Sequence, residues 1–448
     1  MKNKSPRAIA VKILTEVEKG SYSNLALNRH LTPEIEKEDR ALITELVYGV
    51  VKYRVRLDYV LSKFSKVKIS SIHPVVLNSL RVGLYQILFL DKIPDYAAVN
   101  ESVDVAKSFG KRAAGFVNGI LRNVIRNKDG IDYPEPAKEP VRYLSIYYSF
   151  PEWMVRRWIE LFGFDFTESL LSAFNEKPKL CVRVNELKIK KDDLKSLLNK
   201  EGVKWSSGLF LEEALYIEDG PPLTRLESFK SGYFQPQDES SMLVARVLGA
   251  KGEERVLDVA AAPGGKTTHI AQLMKNTGQI HAWDLHPHRI ELLKETCRRL
   301  GVTIVHPEVR DAKIPDTKSF EQFDKVLVDA PCSGLGVIRR KPDIKWTKKP
   351  EDVVNLKREQ FELLSASSKY VKPGGAIVYS TCSIEPEENE KVIEKFLQEN
   401  RDFEPDDIRP FLPKALSGEL KEPCGYIQIY PNVHGMDGFF IARLIRRQ

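Results

Sequence analysis

Apolar residues recur three to four positions apart through roughly the first 130 residues, a spacing that predicts helices there. Pro6 opens one helix, in which Ile9, Ile13, Leu14 and Val17 share a face, and Gly20 closes it. Asp39 is expected to cap a long second helix with Leu42, Leu46, Val50, Tyr53, Leu57, Val60 and Leu61 on its apolar side. Pro74 begins another (Val76, Leu77, Leu80, Leu84, Ile87, Leu88), and two more follow over Ala97–Phe109 and Lys111–Arg126. The pattern predicts an all-α bundle over residues 1–135. Three prolines between Asp132 and Pro140 interrupt it. Residues 141–235 mix periods: helical over Trp153–Phe162, alternating over Leu180–Val184, helical over Lys190–Lys200, and a turn at Gly220-Pro221-Pro222. They read as a small α+β region. From residue 236 to 448 strands and helices alternate. The strands are Arg255–Val259, Gln279–Trp283, Thr303–His306, Lys325–Val328, Gly375–Tyr379 and Gly438–Leu444. The helices between them are Thr267–Lys275, Pro287–Leu300 and Pro350–Tyr370. This is the signature of a doubly wound, mostly parallel α/β domain of Rossmann-like type.

Charge adds a partner class to this outline. Residues 1–140 hold 23 Lys/Arg against 16 Asp/Glu, an excess equal to the +7 net charge of all 448 residues. A basic helical third suits an anionic partner, most simply nucleic acid, although a solvated basic surface gives the same count. With 42% hydrophobic and 29% charged residues the composition is that of a globular protein. Five cysteines without a Cys-x-x-Cys pair make no disulfide framework and fit a reducing, cytoplasmic setting. The stretch Met1–Ile9 is basic but leads into an amphipathic pattern, and no run approaches the ~18 apolar residues of a membrane span. Neither a signal peptide nor a membrane partner is expected.

In a doubly wound sheet, ligands sit at the carboxyl ends of the strands, so the residues after each strand carry the chemistry. The first strand runs into Asp258-Val259-Ala260-Ala261-Ala262-Pro263-Gly264-Gly265-Lys266, where two glycines allow close backbone approach and a helix N-terminus offers free amides. Asp284, about 20 residues on, is placed to bind ribose hydroxyls. Asp311 is placed to reach an adenine amine, and Asp329 ends the fourth strand. Ala260–Thr267 also differs from a phosphate-binding P-loop only at Ala260, with Asp329 available as a magnesium carboxylate. An NTPase is therefore a competing reading. Against it, the missing glycine loosens the phosphate cradle, and carboxylates at four strand ends would repel a triphosphate. They suit a ligand rich in hydroxyls and amines.

Cys332, in Pro331-Cys332-Ser333-Gly334, and Cys382, in Ser380-Thr381-Cys382-Ser383, both follow strands on that ligand side. Cys181 and Cys297 read as ordinary buried cysteines. A metal site lacks a third and fourth ligand at sensible spacing, and His281, His286 and His288 share no face, so no metal is expected. Two thiols beside an adenosine pocket suit methylation of cytosine carbon 5. A thiolate adding to carbon 6 makes carbon 5 nucleophilic toward the methyl sulfonium of S-adenosyl-L-methionine. Lys266 is a source of thiol acidification, and Asp329 of hydrogen bonds to the cytosine ring. Which thiol attacks is not readable from these residues. Arg339, Arg340, Lys341 and Lys345 are placed to hold phosphates; Trp346 either stacks on a base or packs, with packing favoured.

The combination of Asp258–Lys266, Asp329–Gly334, Lys341-Pro342-Asp343-Ile344-Lys345-Trp346, Ser380–Ser383 and Asp437-Gly438-Phe439-Phe440 resembles the RNA cytosine-carbon-5 methyltransferases of the NOL/NOP/Sun family. The helical region resembles a NusB domain, notably in Phe116-Val117-Asn118-Gly119-Ile120-Leu121-Arg122. A NusB-like domain ahead of such a catalytic domain resembles the bacterial Sun/RsmB group, which implies 16S ribosomal RNA as substrate, either naked or in an early assembly intermediate, and a monomeric enzyme. The resemblance implies that Cys382 is the nucleophile and that Cys332 assists product release, with Asp329 and Lys266 completing the catalytic set. It implies S-adenosyl-L-methionine on Ala260, Ala261, Ala262, Pro263, Gly264, Gly265, Lys266, Asp284, Asp311 and Asp329. Ala260 departs from the pattern, since many relatives have cysteine there. The Asp437–Phe440 stretch is expected to support the site without acting chemically. Another RNA as substrate, a DNA cytosine methyltransferase and a non-catalytic RNA-binding factor are the competing functions. The Thr-Cys motif argues against DNA, and the last reading leaves both cysteines unexplained.

Overall fold

The helical spacing at the start of the chain is realised as α1 (Pro6–Glu18), α2 (Ser23–His30), α3 (Lys37–Phe64), α4 (Pro74–Phe89), α5 (Asp95–Lys107) and α6 (Lys111–Asn127) in the computed structural model, which describes residues 5–448. The opening Met1–Lys4 of the basic stretch lies outside the described residues. Ser5 caps α1 by accepting from Ala8 N at 3.4 Å, with Pro6 in the first turn. Asp39 is not a cap. α3 starts at Lys37, and Asp39 sits in its first turn, where its charge meets the positive end of the helix dipole. The short α2 was not expected, because only Ala26 and Leu27 among its apolar positions are buried. Three further helices, α7 (Pro140–Tyr148), α8 (Glu152–Phe162) and α9 (Phe164–Asn175), group with the first six. The chain divides between Glu176 and Lys177, inside the 141–235 stretch that the periodicity marks as one region.

A distant piece of chain, Lys341–Thr347, belongs to this helical unit. Its Lys345 is fully buried, with Nζ donating to the carbonyls of Lys52 (3.2 Å) and Ser149 (3.2 Å) and to Asn175 Oδ1 (2.9 Å). Trp346 Nε1 donates to the Val51 carbonyl at 2.8 Å, and Asp343 accepts from the backbone N of Ser23 at 3.1 Å, at the start of α2. α3 is kinked at Tyr53 (φ −105°, ψ 19°), and α7 ends at Ser149, so the plug meets carbonyls that helical bonding leaves free. Burial holds the Lys345 ammonium well below the ordinary lysine value. Lys345→Met is expected to destabilise the helical unit by about 3 kcal/mol, since three buried acceptors lose their donor. A urea midpoint equal to that of the wild type would contradict this.

The second unit, Lys177–Arg340 with Lys348–Gln448, opens with a small antiparallel sheet. Its strands β1 (Leu180–Val184), β2 (Lys204–Ser207), β3 (Ala214–Asp219) and β4 (Phe234–Pro236) lie in the order β2-β3-β1-β4, with α10 (Lys191–Lys200) between β1 and β2 in sequence. After α11 (Glu239–Leu248) the alternation becomes regular: β5 (Arg255–Asp258), α12 (Gly265–Leu273), β6 (Gln279–Asp284), α13 (Pro287–Leu300), β7 (Val305–Val309), β8 (Phe323–Asp329), α14 (Pro350–Ser368) and β9 (Val371–Thr381). α15 (Glu390–Glu399), β10 (Phe403–Pro405), β11 (Tyr426–Ile429) and β12 (Phe439–Arg446) complete it. The strand order is β10-β12-β9-β8-β5-β6-β7, with β11 pairing β12. β5 to β9 are parallel and β12 returns antiparallel to β9. Inner strands such as β8 and β9 are covered on both faces, which is why Val326–Val328 and Ala376–Tyr379 are uninterrupted apolar runs. β5 lies between β6 and β8, so the chain reverses its direction of winding there and opens a crevice at the carboxyl ends.

Candidate active site

The loop after β5 is held from both sides. Ala261 N donates to the Trp283 carbonyl at 2.9 Å, and Gly264 has φ +102°, where an added Cβ would meet Leu293 Cδ1 at 2.6 Å. The left-handed φ is what requires glycine at 264, since the leucine tip can yield. The Ala262–Pro263 peptide is cis. α12 starts at Gly265 and turns its N-terminal amides toward the crevice. Beside the loop is a cavity of about 200 Å³ whose lining includes Ala260, Asp284, Arg289, Arg310, Asp311 and Pro331. Asp284 Oδ1 accepts from His286 N at 3.0 Å. Its Oδ2 accepts no hydrogen bond, although Arg289 Nη1 stands 3.3 Å away. Asp311 Oδ1 takes the Lys313 amide at 2.9 Å, and Arg310 covers the Trp283 ring at 4.3 Å.

Asp258 does not line this cavity. It is 1% exposed beneath the loop, where Oδ2 accepts from Thr267 Oγ1 at 2.7 Å and Oδ1 has no partner. Burial pushes its carboxyl up to about 7. The folded state therefore holds a proton that the unfolded chain has released above about pH 4, so this group's contribution to stability declines as pH rises from about 4 through 7. Asp258→Asn keeps an acceptor for Thr267 and removes the titration. Relative to the wild type it is expected to gain up to about 4 kcal/mol between pH 4 and pH 8. Denaturant unfolding of both proteins at the two pH values, without cofactor, tests this; a difference independent of pH refutes it.

The two cysteines meet at the ends of adjacent parallel strands. Asp329 on β8 pairs in register with Ser380 on β9, and the loops beyond bring Cys332 Sγ to 3.3 Å from Cys382 Sγ. The loops are interlocked: Gly336 N donates to the Cys382 carbonyl and Gly438 N to the Gly336 carbonyl, both at 2.9 Å. A Cβ on Gly336 would stand 2.1 Å from the Gly438 oxygen, so no side chain fits there. Gly438, expected only to support the site, does so by this crossing. Lys266 Nζ donates to Asp329 Oδ2 at 2.7 Å, and Ser380 Oγ to Oδ1 at 2.8 Å. Burial opposes the Lys266 charge, but the ion pair with Asp329 outweighs it and raises the ammonium above the ordinary lysine value. The hydrogen bond to Cys382, together with burial, pushes the Cys332 thiol well up. Burial also raises Cys297, to about 11, and Cys181, both far from thiolate character at neutral pH.

Several residues expected to touch ligand do other work. Arg339 and Arg340 both donate to Asp437, Arg339 Nε at 2.5 Å, and Arg340 Nη2 reaches Asp238 at 2.6 Å. Their charges brace the Cys332 loop against the start of β12. Lys345 is buried and Trp346 packs within the helical unit, so of the four proposed phosphate ligands only Lys341 is exposed. Other residues escaped the sequence reading. Arg183 on β1 donates to the Gly265 carbonyl at 2.8 Å and to Thr268 Oγ1 at 3.1 Å, tying the small sheet to α12. Glu388, fully buried, accepts from Ser333 N at 2.8 Å and Ser383 Oγ at 2.5 Å. It lies in the acidic run Glu387-Glu388-Asn389-Glu390, which reads as the solvated start of a helix. Its only hint was proximity to the Thr-Cys motif. Among the described residues no cluster could hold a metal ion, and no helix is long and apolar enough to cross a membrane.

Comparison with known proteins gives this geometry a context. Residues 245–445 match the model for 16S rRNA methyltransferase RsmB/F, residues 4–126 the NusB family, and residues 150–224 the ferredoxin-like domain of RsmF/B-like methyltransferases. Over 452 aligned residues the chain is 43% identical to a probable ribosomal RNA small subunit methyltransferase B of Bacillus subtilis, covering 100% of each. It is similar to the crystal structure of PH0851 with TM-score 0.79, 29% identity and 98% coverage of both chains. The structure of NSun6 from Pyrococcus horikoshii with SFG matches with TM-score 0.59 and 26% identity, covering 67% of this chain and 99% of the other.

Proposed function

The chain belongs to the RsmB/F family of 16S rRNA methyltransferases, and from that premise we propose that it methylates carbon 5 of a cytosine in 16S ribosomal RNA through a covalent bond to Cys382. It is a methyltransferase dependent on S-adenosyl-L-methionine, and family membership removes the NTPase reading. The observation that carries the cytosine chemistry is the thiol pair, 3.3 Å apart beside the cavity that Ala260, Asp284 and Asp311 line.

The residues take the following parts. The Ala260–Lys266 loop, Asp284 and Asp311 hold the cofactor, which supplies an electrophilic methyl group when bound. The Cys382 thiolate adds to carbon 6 of a flipped-out or single-stranded cytosine, forming a sulfur–carbon bond and turning carbon 5 into an enamine-type nucleophile. Asp329, steadied by Lys266 and Ser380, has a lone pair left on each oxygen to accept from the cytosine amine. After methyl transfer, solvent water takes the carbon-5 proton, the freed electron pair restores the carbon 5–carbon 6 double bond, and the carbon 6–sulfur bond breaks to release Cys382 as thiolate. Cys332, 3.3 Å away, donates its S–H to the departing sulfur. The basic helical unit adds RNA affinity through phosphates. The enzyme works as a monomer in the cytoplasm on naked 16S RNA or an early assembly intermediate. The test is transfer of labelled methyl to 16S RNA, to another RNA and to DNA, with bisulfite mapping of the product. 5-Methylcytosine at one site of the 16S RNA is expected; label on another base or on DNA alone overturns the reading.

A further inference from the structure

The two thiols are alike in chemistry and both partly buried, yet their neighbours differ. The Lys266 ammonium is ion-paired at 2.7 Å with Asp329, whose register partner on β9, Ser380, donates to it and lies two residues before Cys382. On the Cys332 side stands Glu388, whose carboxylate has 0% exposure. It accepts from Ser333 N (2.8 Å) and Ser333 Oγ, the residue after Cys332, and from Gln360 Nε2 (2.9 Å). Gln360 also donates to the carbonyl of Pro331, the residue before Cys332, at 2.9 Å. Glu388 is carried by the Cys382 loop itself, six residues on, but its carboxylate takes from that loop the Ser383 hydroxyl, so most of its side-chain bonds reach across to the Cys332 loop. Every one of these donors is neutral. A buried carboxylate bonded only to neutral groups keeps its field, and a thiolate beside it is disfavoured. The other ionisable groups facing this corner are Tyr379, whose hydroxyl donates to the Glu388 carbonyl at 2.6 Å, and Asp258 beyond Lys266.

We propose that Glu388 is the positioning residue that makes the two cysteines inequivalent, clasping the Pro-Cys loop through Ser333 and Gln360 and setting its negative charge on the Cys332 side of the thiol pair. Cys332 then stays an S–H donor while Cys382 supplies the thiolate. The Cys332 thiol lies well above its ordinary range, first through its bond to Cys382 and burial, with Glu388 adding to the rise. The assignment rests on the cysteine roles proposed above but is measurable without RNA.

The test is Glu388→Gln in the full chain. The amide is isosteric, and the serine hydroxyls can rotate to suit it. Iodoacetamide labelling against pH, read by peptide mass spectrometry, follows Cys332 in a Cys382→Ala background and Cys382 in a Cys332→Ala background. Glu388→Gln is expected to lower the Cys332 midpoint by about one pH unit and to move that of Cys382 by less than a third as much. Turnover of Glu388→Gln in the otherwise wild-type chain should fall about tenfold or more at unchanged KM for RNA and cofactor. Equal shifts at both thiols, or none at Cys332, overturn the proposal. Should Glu388→Gln not fold, Gln360→Met decides: it removes a donor from the carboxylate and is expected to raise the Cys332 midpoint, and no rise overturns the proposal. An absent covalent RNA adduct alongside the predicted shifts would count against the cysteine roles only; an adduct without the shifts would count against Glu388 only.

Discussion

Cys382→Ala is expected to abolish methyl transfer, by a factor of about 10⁴ or more, while cofactor affinity stays within about twofold of the wild type. Carbon 5 of an unactivated cytosine is too weak a nucleophile for methyl transfer, and in the proposed mechanism its activation comes from the Cys382 thiolate on carbon 6. Removing it therefore deletes the covalent route and does not merely slow it. The cavity proposed for the cofactor is lined from the loop after β5, the end of β6, α13, the loops that follow β7 and β8, and α14, and Cys382 is not among its lining residues. Labelled methyl transfer to 16S RNA and calorimetric titration of the cofactor check the two halves. Activity within tenfold of the wild type would remove Cys382 from the nucleophile's role.

Cys332→Ala has the opposite consequence: the covalent bond forms and persists. With the second sulfur gone from 3.3 Å away, the departing Cys382 thiolate loses its hydrogen-bond donor, and elimination slows more than addition. A majority of the enzyme is expected to accumulate as an RNA–protein adduct that survives denaturing electrophoresis in the presence of cofactor. The double variant Cys332→Ala/Cys382→Ala should give none. An adduct in the double variant, or none in Cys332→Ala, contradicts the assignment of release to Cys332.

The sheet was legible because parallel strands covered on both faces are apolar runs with sharp ends. β6 and β8 lie within two residues of their predicted limits, and α13 coincides with its prediction. β7, at the sheet edge and largely exposed, carries no such pattern and lies two to three residues beyond its expected position. The loop residues were legible because glycines, cysteines and strand-end carboxylates mark themselves. What remained hidden depended on partners far away in sequence. Arg339 and Asp437 are 98 residues apart, and nothing near either says that the charge of one is spent on the other. Glu388 hides in an acidic run, and Lys345 in a basic one. Asp258 shows the same limit: its place at a strand end was correct, but whether it faced ligand or core depended on Thr267 and the loop above. The inequivalence of the cysteines is of this kind too, because the two motifs differ less than their surroundings do.

The plug formed by Lys341–Thr347 also imposes an order in time. The helical unit is otherwise complete at Glu176, yet Lys345 and Trp346 are synthesised about 170 residues later. At translation rates of about 5–20 residues per second, the nascent helical unit waits on the order of 8–30 seconds with the carbonyls at the α3 kink uncovered. The last step in building the first unit is thereby set by the ribosome's progress through the second.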